Sequence, residues 1–374
     1  FDKSMTSASL IIVICSAMGF ARVMNITKCD LHLVSLLTKP LNKLGILLLP
    51  CCMIVTGVVS IAISSLAGMC AAIGPTICAL MIRAGFRPAM AAATVIASTL
   101  PSFWSPGSSH NGFVAKLADW PIMDYLTYTG TRTLLISIVC IALMVGCCLL
   151  FGDFKKGGFE NDGVHDAANK VDLPEHPNLL WAFAPLLPVV LLFVVAVCFP
   201  QVKISVATAM LIGVIYTLLV TRFNPADITR KFFDGMGHGY GNILGLIIAA
   251  GVFAAGLRSC GVIDVFVEAL KGSSDLAKLG AAVGPYVLGV MTGSGDAAAF
   301  AFNEAVTPHA ASFGMTIDGL GYLAAISGNF GRLSSPLAGG MIIAAGIAGV
   351  SPFAIVKRTA PVMFILLVAV YILS

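Results

Sequence analysis

Four short motifs occur twice in the same order, and this duplication constrains the chain more than any other feature. Lys43-Leu44-Gly45 is followed by Pro50, and Lys278-Leu279-Gly280 by Pro285, 235 positions later. Ser64-Ser65-Leu66-Ala67 stands 230 positions before Ser294-Gly295, and Ser105-Pro106 stands 230 before Ser335-Pro336. Arg132-Thr133 stands 226 before Arg358-Thr359. An offset that drifts by a few residues while the order holds is what small insertions leave in a duplicated structural unit.

The solvent of that unit follows from its charge. Only 11% of the residues are Asp, Glu, Lys or Arg, 58% are apolar, and the mean hydropathy is +0.96. A soluble domain carries about 25% charged residues, so this chain cannot wet the surface of a globule its size. Soluble and disordered classes are excluded. Nucleic-acid binding is excluded as well, because the net charge is only +4 and the basic residues are scattered. The cysteines sit inside apolar runs such as Cys51-Cys52 and Cys147-Cys148, without C-x-x-C spacing, and form no metal or disulfide framework.

A bilayer-crossing helix needs about 20 mostly apolar residues. Clean spans are expected over 5–24, 132–151, 179–199, 204–222, 240–257 and 359–374. The stretches 43–83, 87–117, 279–310 and 316–348 are equally apolar but crowded with Gly, Ser, Pro and Asn. Irregular backbone survives in lipid only where it lines a cavity or is buried in protein. These stretches therefore read as re-entrant hairpins and broken helices, the devices with which secondary transporters build sites at the midplane. Surface segments are expected at 28–42 and 260–277.

The second unit has two helices, 179–199 and 204–222, in front of the matched part. Their counterparts are expected before Phe1, where Phe1-Asp2 echoes Phe233-Asp234, so the N-terminus is read as truncated. Five crossings per unit is odd, which inverts one unit relative to the other. The expected fold is an all-α polytopic membrane protein of two inverted-topology repeats, 1–151 and 179–374, joined by a linker at 152–178. The excess of basic residues on the linker's side places the linker in the cytoplasm.

The hairpin tips fall at Ser60–Gly68 and at Thr292-Gly293-Ser294-Gly295-Asp296, and the helix breaks at Ser98–Ser108 and Gly328–Pro336. Half-helix N-termini offer unpaired N–H groups to carboxylate oxygens. Hydroxyls and freed carbonyls suit a hard cation such as Na+, with the tips as its expected place. The substrate-binding candidates are Ser64, Ser65, Thr99, Ser105 and Ser108 in the first unit. In the second they are Thr292, Ser294, Gly295, Asn329, Arg332, Ser334 and Ser335. Ionisable groups at membrane depth are costly and mark function. Arg332 is the expected carboxylate receptor through its fork of donors, or else a partner for Asp296 or Glu304. Asp296, Glu304, His110 and Asn111 are candidates for cation or proton coupling, with a local helix hydrogen bond the alternative for His110 and Asn111.

No H-E-x-x-H and no nucleophile–base constellation is present. Gly293-Ser294-Gly295-Asp296 has the look of an intramembrane aspartyl protease loop, but that chemistry needs a second aspartate to share the proton. Leu66 stands at the equivalent place in the first unit. An enzyme, and with it any organic cofactor, is therefore not expected.

Several stretches resemble the anaerobic C4-dicarboxylate carrier (DcuC) family of the ion transporter superfamily. They are Ser105-Pro106-Gly107-Ser108-Ser109-His110-Asn111, Gly293-Ser294-Gly295-Asp296-Ala297-Ala298, Phe302-Asn303-Glu304-Ala305-Val306-Thr307-Pro308-His309 and Gly331-Arg332-Leu333-Ser334-Ser335-Pro336, with Lys357-Arg358-Thr359. The resemblance implies a carrier of succinate, fumarate or malate in the bacterial inner membrane, working by cation-coupled symport, exchange or efflux. Carriage of a monocarboxylate or amino acid on the same scaffold, or a channel, are the alternatives. It further implies a homodimer whose transport domain, 43–117 and 279–348, slides as an elevator. The scaffold would be 5–24, 132–151, 179–257 and 359–374. The Ser-Asn-Thr triplet of the superfamily's dicarboxylate symporters is replaced by Ser64-Ser65-Leu66 and Ser294-Gly295-Asp296.

Overall fold

The computed structural model describes residues 8–38, 45–62, 65–155, 174, 176–198, 204–245, 248, 252, 256, 259–261 and 274–374. Ser64, most of the 260–277 segment and most of the linker lie outside the described residues. The rest is helical, with one isolated bridge between Phe86 and Phe154. The first part runs α1 (Ala8–Thr27), α2 (Cys29–Thr38), α3 (Leu48–Ala62), α4 (Leu66–Arg83), α5 (Pro88–Ala97), α6 (Ser109–Leu117) and α7 (Ile122–Phe151). After the linker come α8 (Leu179–Phe183), α9 (Leu187–Cys198), α10 (Val206–Thr221) and α11 (Pro225–His238). The final part is α12 (Ser274–Thr292), α13 (Gly295–Ala305), α14 (Ile317–Leu333), α15 (Gly339–Ala348) and α16 (Pro352–Leu373).

Gly45–Ala62, Ile122–Phe151 and Pro352–Leu373 are long and apolar enough to cross a bilayer. At 1.5 Å per residue the 30-residue α7 spans about 45 Å, more than the hydrocarbon core. It stops at Gly152, whose left-handed backbone (φ 60°) closes the helix. The span expected at 179–199 is two helices, because Pro185 and Pro188 cannot continue one ladder.

Two helical hairpins and two broken helices occupy the expected positions. Helix α3 ends at Ala62 and α4 begins at Leu66, and α12 and α13 turn back at Gly293-Ser294. Gly293 takes φ +71°, and a Cβ there would lie 2.7 Å from the Leu337 carbonyl carbon, so no other residue fits the second tip. The first break matches its expected bounds: α5 ends at Ala97, a 3-10 turn covers Leu100–Trp104, and α6 begins at Ser109. The second break does not. It was expected from Gly328, but α14 stays helical to Leu333 and the chain opens only over 334–338. Gly328 and Gly331 serve contact instead. A Cβ on Gly328 would sit 2.7 Å from the Gly295 carbonyl oxygen, and one on Gly331 would strike the Tyr286 carbonyl. Small residues here let α14 lie directly on the α12–α13 hairpin, the small-residue packing typical of membrane helices.

The buried side chains form two main bodies, and a third small cluster links them. The larger core joins α3–α7 with α12–α16, the smaller joins α1 with α9, α10 and α11, and Ile14, Cys15, Phe113 and Phe300 pack α1 against α6 and α13. Helices α7 and α16, within the segments 132–151 and 359–374, pack on each other and on α5 and α14. Their apolar faces (Ile136, Cys140 and Met144; Leu366 and Val370) are completed by the hairpin body. A polar anchor strengthens the arrangement. Asp153, fully buried just beyond α7, accepts hydrogen bonds from Nε and Nη2 of Arg358 on α16 at 2.5 and 2.7 Å. The Asp153 carbonyl accepts from the Arg87 amide at 2.9 Å, tying in the start of α5.

Candidate functional site

A cavity of about 230 Å³ opens between the two bodies, and both hairpin tips and both breaks reach it. Four helices begin on its wall. Leu66 and Ala67 open α4, Ser109 and His110 open α6, Asp296 lies in the first turn of α13, and Gly339 and Gly340 open α15. Each preceding residue is extended, which starts the helix and leaves its first amides without intrahelical partners at the cavity wall. Ser65 caps α4 by accepting from the Gly68 amide, and Ser294 caps α13 by accepting from the Ala297 amide. At α6 and α15 no side chain caps the helix, so their first amides are left to whatever enters. A helix N-terminus carries roughly half an elementary charge. Four of them together offer about two to an anion.

Three ionisable side chains meet on the same wall. His110 Nε2 lies 2.9 Å from Asp296 Oδ1, and Arg332 Nη1 lies 3.6 Å from the same oxygen. His110 comes from the first break and the other two from the second unit, so the cluster joins the halves of the chain. The imidazole stacks on Phe103 at 5.3 Å and leans against Phe300 at 5.9 Å, which fixes its plane. Its Nδ1 and Arg332 Nε are buried and have no hydrogen-bond partner among the described residues. Arg332 Nη2 donates to Asn329 Oδ1, which aims the guanidinium from the last turn of α14. Leaving the Arg332 Nε–H unmade inside protein costs about 1–3 kcal/mol, a penalty that an acceptor arriving in the cavity relieves.

Of the residues singled out from the sequence, Ser65, Ser108, His110, Ser294, Asp296 and Arg332 line this cavity. Others build its frame. Asn111 Nδ2 donates to the Phe103 and Ser105 carbonyls at 2.8 and 3.0 Å, pinning the first break, so its amide is spent on structure. Thr99 donates to the Ile96 carbonyl, away from the cavity. Thr292 donates to Leu288 and accepts from the Ser294 amide, shaping the second tip. Gly295 is where α13 touches α14. Ser334 donates to the Phe330 carbonyl and accepts from Tyr286, while Ser335 accepts from the Leu337 amide. Glu304 lies toward the far end of α13, off the cavity wall. The sequence reading missed Gly339-Gly340, Ile14, Met18 and His238. The offset of 230 would have found the glycines, since it pairs them with Ser109-His110. His238 belongs to no repeated motif.

Among known proteins, the sequence profile of DcuC, the C4-dicarboxylate anaerobic carrier, matches residues 1–374. A Haemophilus influenzae protein described as an uncharacterized transporter is 41% identical over 277 residues, covering 72% of this chain and 99% of that protein. The anaerobic C4-dicarboxylate transporter DcuC of Escherichia coli K12 is 28% identical, over 97% of this chain and 79% of its own length. The crystal structure of the Alcanivorax borkumensis YdaH transporter superimposes with a TM-score of 0.61 at 14% identity, covering 98% of this chain and 84% of YdaH. That likeness concerns the fold.

Proposed function

The chain belongs to the DcuC family of C4-dicarboxylate anaerobic carriers, and from that premise we propose that it carries a C4-dicarboxylate such as succinate, fumarate or malate across the bacterial inner membrane. The observation that carries this reading is the convergence of four helix N-termini and Arg332 on one cavity between two bodies. Carboxylate oxygens suit uncapped amides and a guanidinium fork alike. The cavity is smaller than the 300–1,000 Å³ of drug-sized ligand sites, which fits a small metabolite.

Charge accounts for coupling. Arg332 and Asp296 cancel when both are ionised, so this cluster brings no net charge to a dianion unless His110 is protonated. A proton on the His110–Asp296 pair, or a Na+ ion at the tips, makes the wall cationic and lets the dianion enter. Coupled symport, exchange and efflux all follow from that linkage. In this reading the two units are inverted repeats, and the hairpin body, with α7 and α16 included, moves as an elevator against α1 and α9–α11. The protein works as a dimer. The test is counterflow of labelled succinate in proteoliposomes, with Na+ and pH varied independently. Saturable counterflow that requires one of the two ions supports the reading. Its absence with succinate, fumarate and malate alike, together with counterflow of lactate or an amino acid, overturns the substrate class.

A further inference from the structure

The smaller body faces the cavity through Ile14 and Met18 of α1 and through His238, the last residue of α11. Of these three, His238 is the polar one, and it lines the same cavity as Arg332 and the four helix starts. Its position is rigidly set. A Cβ on Gly19 would lie 2.8 Å from the Phe232 ring, one on Gly235 2.5 Å from the Met18 carbonyl oxygen, and one on Gly239 3.0 Å from the Met18 side chain. Three glycines thus let α11 lie on α1 without an intervening side-chain layer, and this sets His238 beside Met18. Directly after it the backbone widens into a π-helical turn over Gly239–Leu244. Such turns are rare and are frequently found at functional sites.

We infer that His238 docks the second carboxylate of the dianion and so sets the preference for two carboxylates over one. This rests on the reading of the cavity given above. A C4-dicarboxylate has charge at both ends and two carbons between them. The first carboxylate fits the amides and Arg332, the carbons lie against Ile14 and Met18, and the second carboxylate then faces the imidazole. A monocarboxylate of the same length presents a methyl group there. The inference assigns to the smaller body a share in recognising the substrate.

The test uses the full chain in proteoliposomes, with His238→Ala, His238→Gln and His238→Lys, and labelled succinate counterflow competed by unlabelled succinate or butyrate. Losing a charge-assisted hydrogen bond raises the KM for succinate about tenfold to a hundredfold. Vmax and the inhibition constant of butyrate stay near wild type, so the preference collapses. His238→Lys restores the low KM by returning a donor to the second carboxylate, and His238→Gln decides the case if the alanine variant does not fold. An unchanged KM in folded His238→Ala, or equal weakening of succinate and butyrate, overturns the inference. Failure of the wild type to exchange any dicarboxylate removes the reading of the cavity itself, and this assignment with it.

Discussion

Replacing Asp153 by Ala removes the partner of a buried arginine, and the structure allows the cost to be worked out. The carboxylate has no exposed surface, the Arg358 side chain is 9% exposed, and two N–H···O bonds of 2.5 and 2.7 Å join them. Arg87 stands 3.8 Å away on the other side, half in solvent, and contributes little by comparison. Without Asp153 the guanidinium keeps its bond to the Ala354 carbonyl but remains buried without a counter-ion. Breaking a buried pair from one side costs about 3–5 kcal/mol, or roughly two to four decades in the folded-to-unfolded ratio. For a chain of this length that corresponds to a melting point lower by about 4–6 °C. The assay is thermal unfolding in detergent micelles. Removing both partners, as Asp153→Leu with Arg358→Met, restores most of the loss, because no uncompensated charge stays inside. An Asp153→Ala variant melting within a degree of wild type refutes the claim that this pair fastens α7, α16 and the start of α5.

The other predictions concern the cavity and the surface. Arg332→Ala abolishes succinate counterflow while the protein still folds, and Arg332→Lys recovers only part of it, since an ammonium lacks the fork geometry; near-normal uptake by the alanine variant removes Arg332 from the site. Asp296→Asn flattens the dependence of transport on pH and Na+, and an unaltered dependence excludes Asp296 from coupling. Asp30, in the short helix beside the linker, is 3% exposed, and burial raises its carboxyl from 3.8 to about 6 against the opposing pull of the Leu31 amide. The folded state therefore holds the proton where the unfolded chain has released it. Stability falls by up to about 3 kcal/mol as pH rises from 4 to 6. Asp30→Asn melts higher than wild type at pH 7 and loses that slope; a steeper slope in the variant contradicts the burial argument.

The repeat made much of this fold legible from sequence. Gly/Ser/Pro-rich interruptions in apolar stretches marked both hairpins and the first break to within a residue or two, because unsatisfied backbone has few places to go in lipid. The same cue failed at Gly328-Asn329-Phe330-Gly331, where glycine allows close helix contact rather than a bend. Composition does not separate these two uses; the facing backbone of Tyr286 and Gly295 does. Serines showed the same limit. Ser108 faces the cavity whereas Ser105, three residues away, does not, since the irregular backbone between them sets direction without a period. The smaller body was the least legible part. His238 lies on a helix whose partner, α1, is more than 200 positions away, and their contact depends on which glycines meet.

If a dicarboxylate occupies the space between the four helix starts, Gly339 gives the most direct access to it. A Cβ at Gly339 meets nothing within 4 Å, and the residue opens α15 on the cavity wall. Gly339→Val therefore fills the cavity with little disturbance to packing. Equilibrium binding of succinate to purified wild type and Gly339→Val measures the claim. The account predicts saturable binding by the wild type, and affinity at least about tenfold weaker in a variant that melts like wild type. Equal affinity in the two proteins would place the substrate elsewhere.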